Sequence, residues 1–260
     1  MVQSVVITGG AGRIGTALRP LLRPRLRLRL VDVRPLPEPA LEGEDFVQAD
    51  AADLAAMERA CQGMDAVLHL AGQPSTSATW AEVRQANIEG TYCVFEAARR
   101  TGIKKVVFAS TNHVMGFLNL EGKWPIGVDD GVRPDSLYGV SKAFGEGLAR
   151  YYSDAFEMSM ICLRIGWFTP RDPTAQRHQP LWISTRDLVA LIELCFESPR
   201  RFGIYNATSS NSQRQWDLQR TRDELGYAPV DDVTKLELPP HSGEEPLYCD
   251  PQAGVLRALS

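Results

Sequence analysis

The sequence predicts an α/β fold, a doubly wound parallel sheet of about seven strands with helices on both faces. Short apolar runs alternate with amphipathic segments along most of the chain, as in repeated strand–helix units. The run Ala66 to Leu70 is apolar except for His69, which is typical of a strand covered on both faces. With 260 residues, of which 44% are hydrophobic and 23% charged, the chain can bury one large core. Right-handed crossovers then place a ligand crevice at the carboxyl ends of the strands.

The first strand–helix unit carries a glycine-rich turn. The apolar run Val5 to Ile7 leads into the stretch Thr8 to Gly15, which holds four glycines and opens a helix. Glycines there permit a tight reversal and let the backbone approach a pyrophosphate, which the free N–H groups of the helix would face. The next strand, Leu28 to Asp32, ends in an acid near the roughly 20-residue offset at which a carboxylate meets ribose hydroxyls. These features predict a Rossmann-type dinucleotide site. Two glycine spacings fit this motif, either Gly9, Gly12 and Gly15 or Gly10, Gly12 and Gly15.

The following elements extend the sheet. After a proline-rich loop, a short strand at Asp45 to Gln48 leads to Asp50 and Ala51, which we expect beside the adenine. Asp53 caps the helix that comes next. The later elements predicted in this half are a helix from Trp80 to Arg100 and a strand from Lys105 to Ala109.

The second half of the chain is less regular. Residues 114–134 lack periodicity and are rich in glycine and proline, which predicts a loop over the carboxyl edge of the sheet. A helix begins after Ser136. The remaining predicted elements are strands at Ser159 to Arg164 and Ile204 to Ala207 and a helix from Asp187 to Phe196.

Two portions are predicted from this pattern. Residues 1–164 form the nucleotide-binding domain with the catalytic residues, and residues 165–260 form a small C-terminal substrate-binding portion that contributes partly to the sheet. The tail after Pro229 is polar and is assigned little structure.

Composition excludes several classes of function. The net charge of −4 argues against nucleic acid as a partner, and the arginines between Arg19 and Arg29 are expected on a solvated helix end and strand entry. No apolar run approaches the roughly 18 residues that span a bilayer, and a strand begins directly after Met1, so we expect a cytoplasmic protein without a membrane partner. Five cysteines without a C-x-x-C pair indicate buried thiols, and four histidines without ligand spacing predict no metal.

A tyrosine and a lysine lie four residues apart in the helix after Ser136. Tyr138 and Lys142 therefore share one helix face near the carboxyl end of the fifth strand. An ordinary phenol ionises near pH 10, but a lysine charge and an oxidised nicotinamide close by both favour the phenolate. The pair predicts a general base that works near neutrality. An isolated pair of this kind is more often a surface feature, but here it follows a dinucleotide motif.

Taken in order, these motifs resemble those of the extended short-chain dehydrogenase/reductases over nearly the whole chain. The resemblance favours the spacing that begins at Gly9 and implies NAD as the cofactor. It implies that Tyr138, Lys142 and Thr111 are catalytic, that Lys142 also holds the nicotinamide ribose, and that Thr111 replaces a commoner serine. Ser110, on the other face of the strand end, is expected to serve the cofactor. The full set of expected cofactor contacts is Gly9, Gly12, Arg13, Ile14, Gly15, Asp32, Asp50, Ala51, Leu70, Ala71, Gly72, Asn87, Ser110, Tyr138, Lys142 and Ile165.

Three stretches are similar to those of one branch of that superfamily, the uronate dehydrogenases and the related haloarchaeal glucose-6-phosphate dehydrogenases. They are Ser110 to Gly116, Leu137 to Glu146 and Arg164 to Gly166. Uronate dehydrogenases oxidise the anomeric carbon of a cyclic hexuronate with NAD and give an aldarolactone. The resemblance implies that the sugar is contacted by Ser75, Thr111, Asn112 and His113.

Two further substrate residues lie beyond the sixth strand. Arg177 matches an arginine that binds the substrate carboxylate, with a solvated loop arginine as the alternative. Trp167 stands where the uronate enzymes have a small serine, and its indole either stacks on a sugar or blocks a carboxylate. For His113 the alternative is a packed histidine bonded to backbone.

The expected reaction is oxidation at C1 of a cyclic sugar or sugar acid. Tyr138 removes the anomeric hydroxyl proton, Thr111 positions that oxygen, Lys142 tunes Tyr138, and hydride passes from C1 to the nicotinamide. A glucose or glucose-6-phosphate dehydrogenase remains open as an alternative. An epimerase or dehydratase is disfavoured, because Asn112 and His113 follow the threonine where such dehydratases tend to carry Asp-Glu. A silent NAD-sensing protein is disfavoured by the retained catalytic side chains. The expected assembly is a homo-oligomer.

Overall fold

Seven parallel strands form the central sheet of the computed structural model, which describes residues 2–169 and 176–237. The strands found in chain order are β1 (Ser4–Thr8), β2 (Arg27–Asp32), β3 (Glu44–Gln48), β4 (Ala66–His69), β5 (Lys105–Thr111), β6 (Ser159–Ile165), β7 (Trp167–Phe168), β8 (Trp182–Ile183) and β9 (Phe202–Ala207). The order across the sheet is β3-β2-β1-β4-β5-β6-β9, while β7 and β8 form a separate parallel pair. The direction of winding reverses between β1 and β4, as in a doubly wound fold, so the predicted fold class is confirmed.

Helices cover both faces of the sheet. They are α1 (Arg13–Leu22), α2 (Leu54–Cys61), α3 (Trp80–Val83), α4 (Gly90–Arg100), α5 (Gly116–Leu120), α6 (Leu137–Phe156), α7 (Thr185–Glu197) and α8 (Gln219–Leu225). Alternate residues of β1 enter different cores, since Val5 and Ile7 pack with α1 and α7 whereas Val6 packs with α2, α4 and α6. Burial on both faces explains why these strands are continuously apolar.

The strand register brings the functional segments to one edge. Thr8 at the end of β1 pairs with His69 at the end of β4, and Thr111 at the end of β5 pairs with Ile165 at the end of β6. The loops and helices that follow these residues therefore start side by side at the carboxyl edge.

The long helix predicted from Trp80 to Arg100 is a continuous helical segment with a change of pitch in its middle. A π-helical stretch, Arg84–Glu89, joins α3 to α4. The whole helical segment starts after Thr79, whose side chain exchanges hydrogen bonds with the backbone and side chain of Glu82. The wider turn contains Asn87, which is buried, and such π turns occur often at functional sites.

The prediction that residues 114–134 form a loop is wrong for the first part of that range. Residues Asn112–Met115 form a 3-10 turn that continues into α5. Val114, Met115 and Leu118 are buried there in a third apolar cluster with Ile126 and Trp216. The partners of this short helix are distant in the chain, so no local periodicity reported it.

The C-terminal portion completes the main sheet. Strand β9 pairs with β6, and α7 packs in the same core as α1, while α8 is a helix that was not predicted. The tail was predicted to have little structure, but its described part to residue 237 is held in place. The backbone N–H groups of Val230 and Asp231 donate to the buried carboxylate of Asp187. The division at residue 164 stays a prediction.

One arginine of the basic cluster is not solvated as expected. Arg19 is only 6% exposed and forms a bidentate ion pair with Glu44 at the start of β3. Its guanidinium also donates to the carbonyls of Glu38 and Pro39. The partner lies in a different strand, which explains why the local pattern of alternating arginines did not indicate this pair.

Candidate active site

The glycine-rich turn after β1 is shaped for close backbone approach. Gly9 has a φ of +73°, and a Cβ there would lie 2.8 Å from the backbone nitrogen of Ala71. A Cβ on Gly15 would lie 2.5 Å from the carbonyl oxygen of Gly9. The first position requires glycine for its conformation and the second for space. This geometry favours the spacing Gly9, Gly12 and Gly15.

Asp32 lies at the end of β2 beside this turn and is only 8% exposed. Its Oδ2 accepts from the backbone N–H of Ala11 at 3.0 Å, and its Oδ1 accepts from the backbone N–H of Arg34, also at 3.0 Å. The largely exposed Arg34 side chain donates to Oδ1 and to the carbonyl of Ala11. The carboxylate therefore stands where a ribose diol would be expected, with one guanidinium beside it.

The segment after β4 meets the π-helical turn. The amide of Asn87 exchanges hydrogen bonds with the backbone of Gln73, accepting at 2.6 Å and donating at 3.2 Å. The Nδ2 group of Asn87 also donates to Ser141 Oγ at 2.7 Å. A Cβ on Gly72 would lie 2.9 Å from Asn87 Oδ1 and 3.6 Å from Lys142 Nζ. Asn87 thus ties the end of β4 to helix α6.

The predicted base and its neighbour lie together at the end of β5. Ser136 caps α6 by accepting from the backbone N–H of Gly139, which places Tyr138 in the first helical turn. The hydroxyl of the buried Thr111 interacts with the phenol of Tyr138 and lowers the pKa of that phenol. Burial has the larger effect, however, and raises the pKa of Tyr138 to about 12, while the charge of Asp135 raises it further. In this structure the neighbourhood alone does not give the lowered phenol pKa that we expected from the sequence.

Lys142 is a buried cation, 3% exposed. Its Nζ lies 4.8 Å from the centre of the Phe108 ring and 6.0 Å from the centre of the Tyr138 ring. Burial lowers the pKa of Lys142 to about 8. Within residues 2–169 and 176–237 the ammonium makes no hydrogen bond or ion pair, and its nitrogen is not among the fully buried atoms there that lack a partner, so it keeps some contact with solvent. A ligand with hydroxyl groups at this place would satisfy it.

His113 sits against the same tyrosine. The two ring centres are 5.7 Å apart with the planes at 61°. The Nδ1 atom lies 2.8 Å and 3.1 Å from the two oxygens of Asp135, a residue that precedes α6. The sequence pattern did not single out Asp135.

A buried ion pair lies behind the predicted catalytic side chains. Arg164 on β6 donates from two nitrogens to Glu146 on α6, each at 2.8 Å, and the side chains are 2% and 4% exposed. The hydroxyl of Ser110 donates to the same carboxylate at 2.6 Å. Because this hydroxyl is taken up by Glu146, contact between Ser110 and the cofactor would be through backbone groups. Glu146 follows Tyr138 and Lys142 at a spacing of one helical turn, a signal in the sequence that we did not use.

The other predicted cofactor residues lie along the same edge. Arg13 is exposed at the start of α1, Asp50 is exposed with its carboxylate bonded to the N–H of Ala52, and Ala51 and Ile165 are buried. The side chains of Ile14, Leu70 and Ala71 are half-buried around the turn.

The predicted sugar contacts are only partly described. Ser75 is half-buried after β4 and accepts from the N–H of Ser77, and Asn112 Oδ1 lies 3.4 Å from the Thr111 hydroxyl. Trp167 is half-buried and pairs in register with Trp182 in the small β7–β8 sheet. The side chain of Arg177 lies outside the described part of the structure.

Two negative observations apply to the described ranges alone. No group of three or more His, Cys, Asp or Glu residues there is arranged to hold a metal ion. No helix in those ranges has the length and apolar character needed to cross a membrane.

Known proteins provide an independent comparison. Residues 5–206 match the model of the NAD dependent epimerase/dehydratase family. The NAD-dependent glucose-6-phosphate dehydrogenase of Haloferax volcanii is 36% identical over 252 residues, covering 91% of this chain and 96% of that protein. The uronate dehydrogenase of Agrobacterium fabrum is 39% identical over 233 residues, covering 89% and 86%. A crystal structure of a mutant uronate dehydrogenase from Agrobacterium tumefaciens complexed with NAD has a TM-score of 0.84 at 33% identity, covering 100% of this chain and 98% of that one. The resemblance stated from the motifs is confirmed, and the chain belongs to the NAD dependent epimerase/dehydratase family.

Proposed function

We propose that the protein is an NAD-dependent dehydrogenase that oxidises the anomeric C1 of a cyclic sugar or sugar acid. The observation that carries the proposal is the grouping of Tyr138 with the hydroxyl of Thr111 and the ammonium of the buried Lys142, whose Nζ lies 6.0 Å from the centre of the Tyr138 ring. A base, a hydroxyl that can share its proton and a cation are the groups needed to take a proton from an alcohol. They lie at the edge that also carries the glycine-rich turn.

The residues of that edge fit a dinucleotide. The glycine turn packs closely against the start of α1, where a Cβ at Gly15 would clash with the carbonyl oxygen of Gly9, and its backbone would face a pyrophosphate. The carboxylate of Asp32 would accept from the hydroxyls of a ribose. Lys142, which needs a polar partner, would hold the second ribose. NAD bound in this way supplies the hydride acceptor and a positive ring close to the phenol.

The protein groups then divide the proton chemistry between them. Tyr138 takes the proton of the anomeric hydroxyl, and Thr111 donates to the oxygen that carries negative charge. Lys142 contributes positive charge, which lowers the phenol pKa from the high value set by burial. Asn87 fixes the segment after β4 against α6, so that Lys142 keeps its position.

A hexuronate is the substrate we favour. The uronate dehydrogenase of A. fabrum is 39% identical to this chain. Arg177 would pair with the C6 carboxylate, with Ser75, Asn112 and His113 on the sugar hydroxyls. Trp167 is the departure from that pattern, because a half-buried indole stands where a small hydroxyl is expected.

Glucose 6-phosphate is the second candidate. The glucose-6-phosphate dehydrogenase of H. volcanii is 36% identical over 91% of this chain, and this identity is close to that of the uronate dehydrogenases. A phosphate at C6 would use the same arginine and would leave the chemistry at C1 unchanged.

We also propose that the enzyme is a cytoplasmic homo-oligomer. Exposed apolar side chains on α4 and α6, namely Tyr92, Val140, Phe144 and Tyr151, support a contact between copies. Light scattering after size-exclusion chromatography tests this, and a monomer at micromolar concentration would contradict it.

The test of the proposed activity is a substrate screen. Purified protein is incubated with NAD and one sugar at a time, chosen from hexuronates, hexoses and hexose phosphates. The NADH formed is followed at about 340 nm, where the reduced nicotinamide absorbs. We expect NADH with at least one sugar and none with the Tyr138→Phe variant. Absence of NADH with every sugar, under conditions in which the protein binds NADH, would contradict the proposal.

A further inference from the structure

A buried carboxylate contacts the imidazole of His113 at Nδ1 and leaves Nε2 on the opposite side of the ring. The two carboxylate oxygens of Asp135 lie 2.8 Å and 3.1 Å from the Nδ1 atom of His113, and the Asp135 side chain is only 6% exposed. Its Oδ1 also accepts from the hydroxyl of Ser136, the capping residue of α6, at 2.9 Å. The carboxylate is therefore fixed to the same helix start that carries Tyr138.

The backbone around this pair leaves no space for it to move. A Cβ on Gly116 would lie 1.8 Å from an Asp135 oxygen, and a Cβ on Gly139 would lie 2.4 Å from the carbonyl oxygen of His113. The backbone N–H of Asp135 donates to that carbonyl at 3.3 Å. Glycine at both positions lets the 3-10 turn, Asp135 and α6 pack against one another, which keeps the carboxylate beside the imidazole.

We propose that Asp135 is a positioning residue that fixes the tautomer of His113 and so presents Nε2 as a hydrogen-bond acceptor for a substrate hydroxyl. An ionised carboxylate only accepts hydrogen bonds, so the proton of a neutral imidazole must be on Nδ1. The Nε2 atom then carries the lone pair, and it makes no hydrogen bond to any described residue. Because the ring centre lies 5.7 Å from that of Tyr138, a substrate hydroxyl next to the one that Tyr138 deprotonates would be within reach of the imidazole. The role in substrate binding rests on the proposed function, whereas the tautomer does not.

The tautomer can be measured without any substrate. Long-range proton–nitrogen NMR spectra of protein labelled with 15N-histidine distinguish Nδ1–H from Nε2–H, and the His113→Phe variant assigns the signal. We expect the Nδ1–H form in the wild type at pH 8 and a changed tautomer ratio in Asp135→Asn, because an amide can donate as well as accept. His69, bonded through its two nitrogens to Thr8 and Thr91, is the internal control and should keep its pattern. A wild-type His113 in the Nε2–H form would overturn the proposal.

Kinetics then test the link to the substrate. With the sugar found in the screen, Asp135→Asn should raise KM about threefold to tenfold, equivalent to roughly 0.7 to 1.4 kcal/mol. The Kd for NADH, measured by fluorescence, should change by less than about twofold, since neither side chain of the pair is hydrogen-bonded to the glycine-rich turn, Asp32 or Lys142. In the His113→Phe background, the same Asp135→Asn change should have no further effect on KM. Equal effects of Asp135→Asn in both backgrounds would show that it acts on the fold and would overturn the proposal.

The two experiments separate the two ideas. If no sugar is oxidised, the proposed function fails, but the NMR spectrum still decides the tautomer. Thermal melts of each variant identify those that do not fold, and the wild-type spectrum needs no variant except for its assignment.

Discussion

The cofactor edge and the substrate side of this protein are built in different ways. The cofactor edge, from Thr8 to Gly15 with Asp32, is made of short segments directly after buried strands, and its contacts are mostly to backbone groups. The substrate side, from Thr111 to Tyr138, is held by side chains that meet across long distances in the sequence. Examples are Arg164 with Glu146 and His113 with Asp135. Strand ends fix the first region and buried charges fix the second, while close glycine contacts occur in both.

This difference predicts where the enzyme tolerates change. A substitution in the cofactor edge, where the contacts are mostly to backbone groups, should affect cofactor binding alone. Loss of a buried charge on the substrate side should affect stability and catalysis together, because the same residues hold the fold and the reacting groups.

The largest effect is expected from the buried ion pair. Glu146→Ala leaves the guanidinium of Arg164 buried without its carboxylate, so the free energy of unfolding should fall by about 3 to 5 kcal/mol. Asp154→Ala is the matched control on the same helix, because its partner Arg150 is exposed and the loss should be roughly 0.5 kcal/mol or less. Urea denaturation followed by circular dichroism measures both. Equal losses in the two variants would mean that the buried pair has no special role.

The base is expected to control the rate but not cofactor binding. Tyr138→Phe removes one oxygen and should lower kcat by about 100-fold or more, with the Kd for NADH nearly unchanged. Tyr151→Phe, at an exposed tyrosine of the same helix, is the control and should keep wild-type activity. A Tyr138→Phe enzyme with near-normal kcat would contradict the assignment of the base.

The far end of the substrate is expected to depend on one arginine. If Arg177 pairs with a C6 carboxylate, Arg177→Ala should raise KM for glucuronate or galacturonate about tenfold to a hundredfold, from a charge-assisted bond of roughly 1.5 to 3 kcal/mol. Activity on glucose should hardly change, and glucose 6-phosphate is assayed beside the uronates because a phosphate would respond similarly. Unchanged KM for all sugars would make Arg177 a loop residue.

The variant Trp167→Ser complements that experiment, since it restores the small hydroxyl of the uronate enzymes. A wild type that rejects uronates and a Trp167→Ser variant that accepts them would show that the indole selects another sugar.

The smallest effect concerns the choice between NAD and NADP. Asp32 would repel a 2′-phosphate, so kcat/KM should be higher with NAD. Arg34, which donates to Asp32 from an exposed position, weakens that preference. Arg34→Ala should therefore widen the ratio of the two kcat/KM values in favour of NAD. A wild type that uses NADP as well as NAD would contradict the placement of Asp32.

The sequence indicated the features that follow local rules far better than those held by distant contacts, for a physical reason. The glycine turn, Asp32 and Tyr138 with Lys142 follow local rules of strand ends and helix spacing, and the structure brings them to one edge. Asp135, Glu146 and the buried Arg19 act through partners that no local pattern indicates. The short helix Gly116–Leu120 was missed because it is too short to show a periodicity and packs in one cluster with Trp216, which is distant in the sequence. The rise in the pKa of Tyr138 was not anticipated, because burial depends on the whole fold. The lowering expected from Lys142 together with an oxidised nicotinamide stays a prediction.

The central claim is that this edge oxidises C1 of a cyclic sugar, and the transfer of an isotope from that carbon tests it most directly. The sugar accepted in the screen is prepared with deuterium at C1 and incubated with the enzyme and NAD, and the NADH formed is analysed by mass spectrometry. We predict one deuterium in each NADH, together with a lactone as the product. NADH without deuterium would place the oxidation at another carbon and would contradict the account.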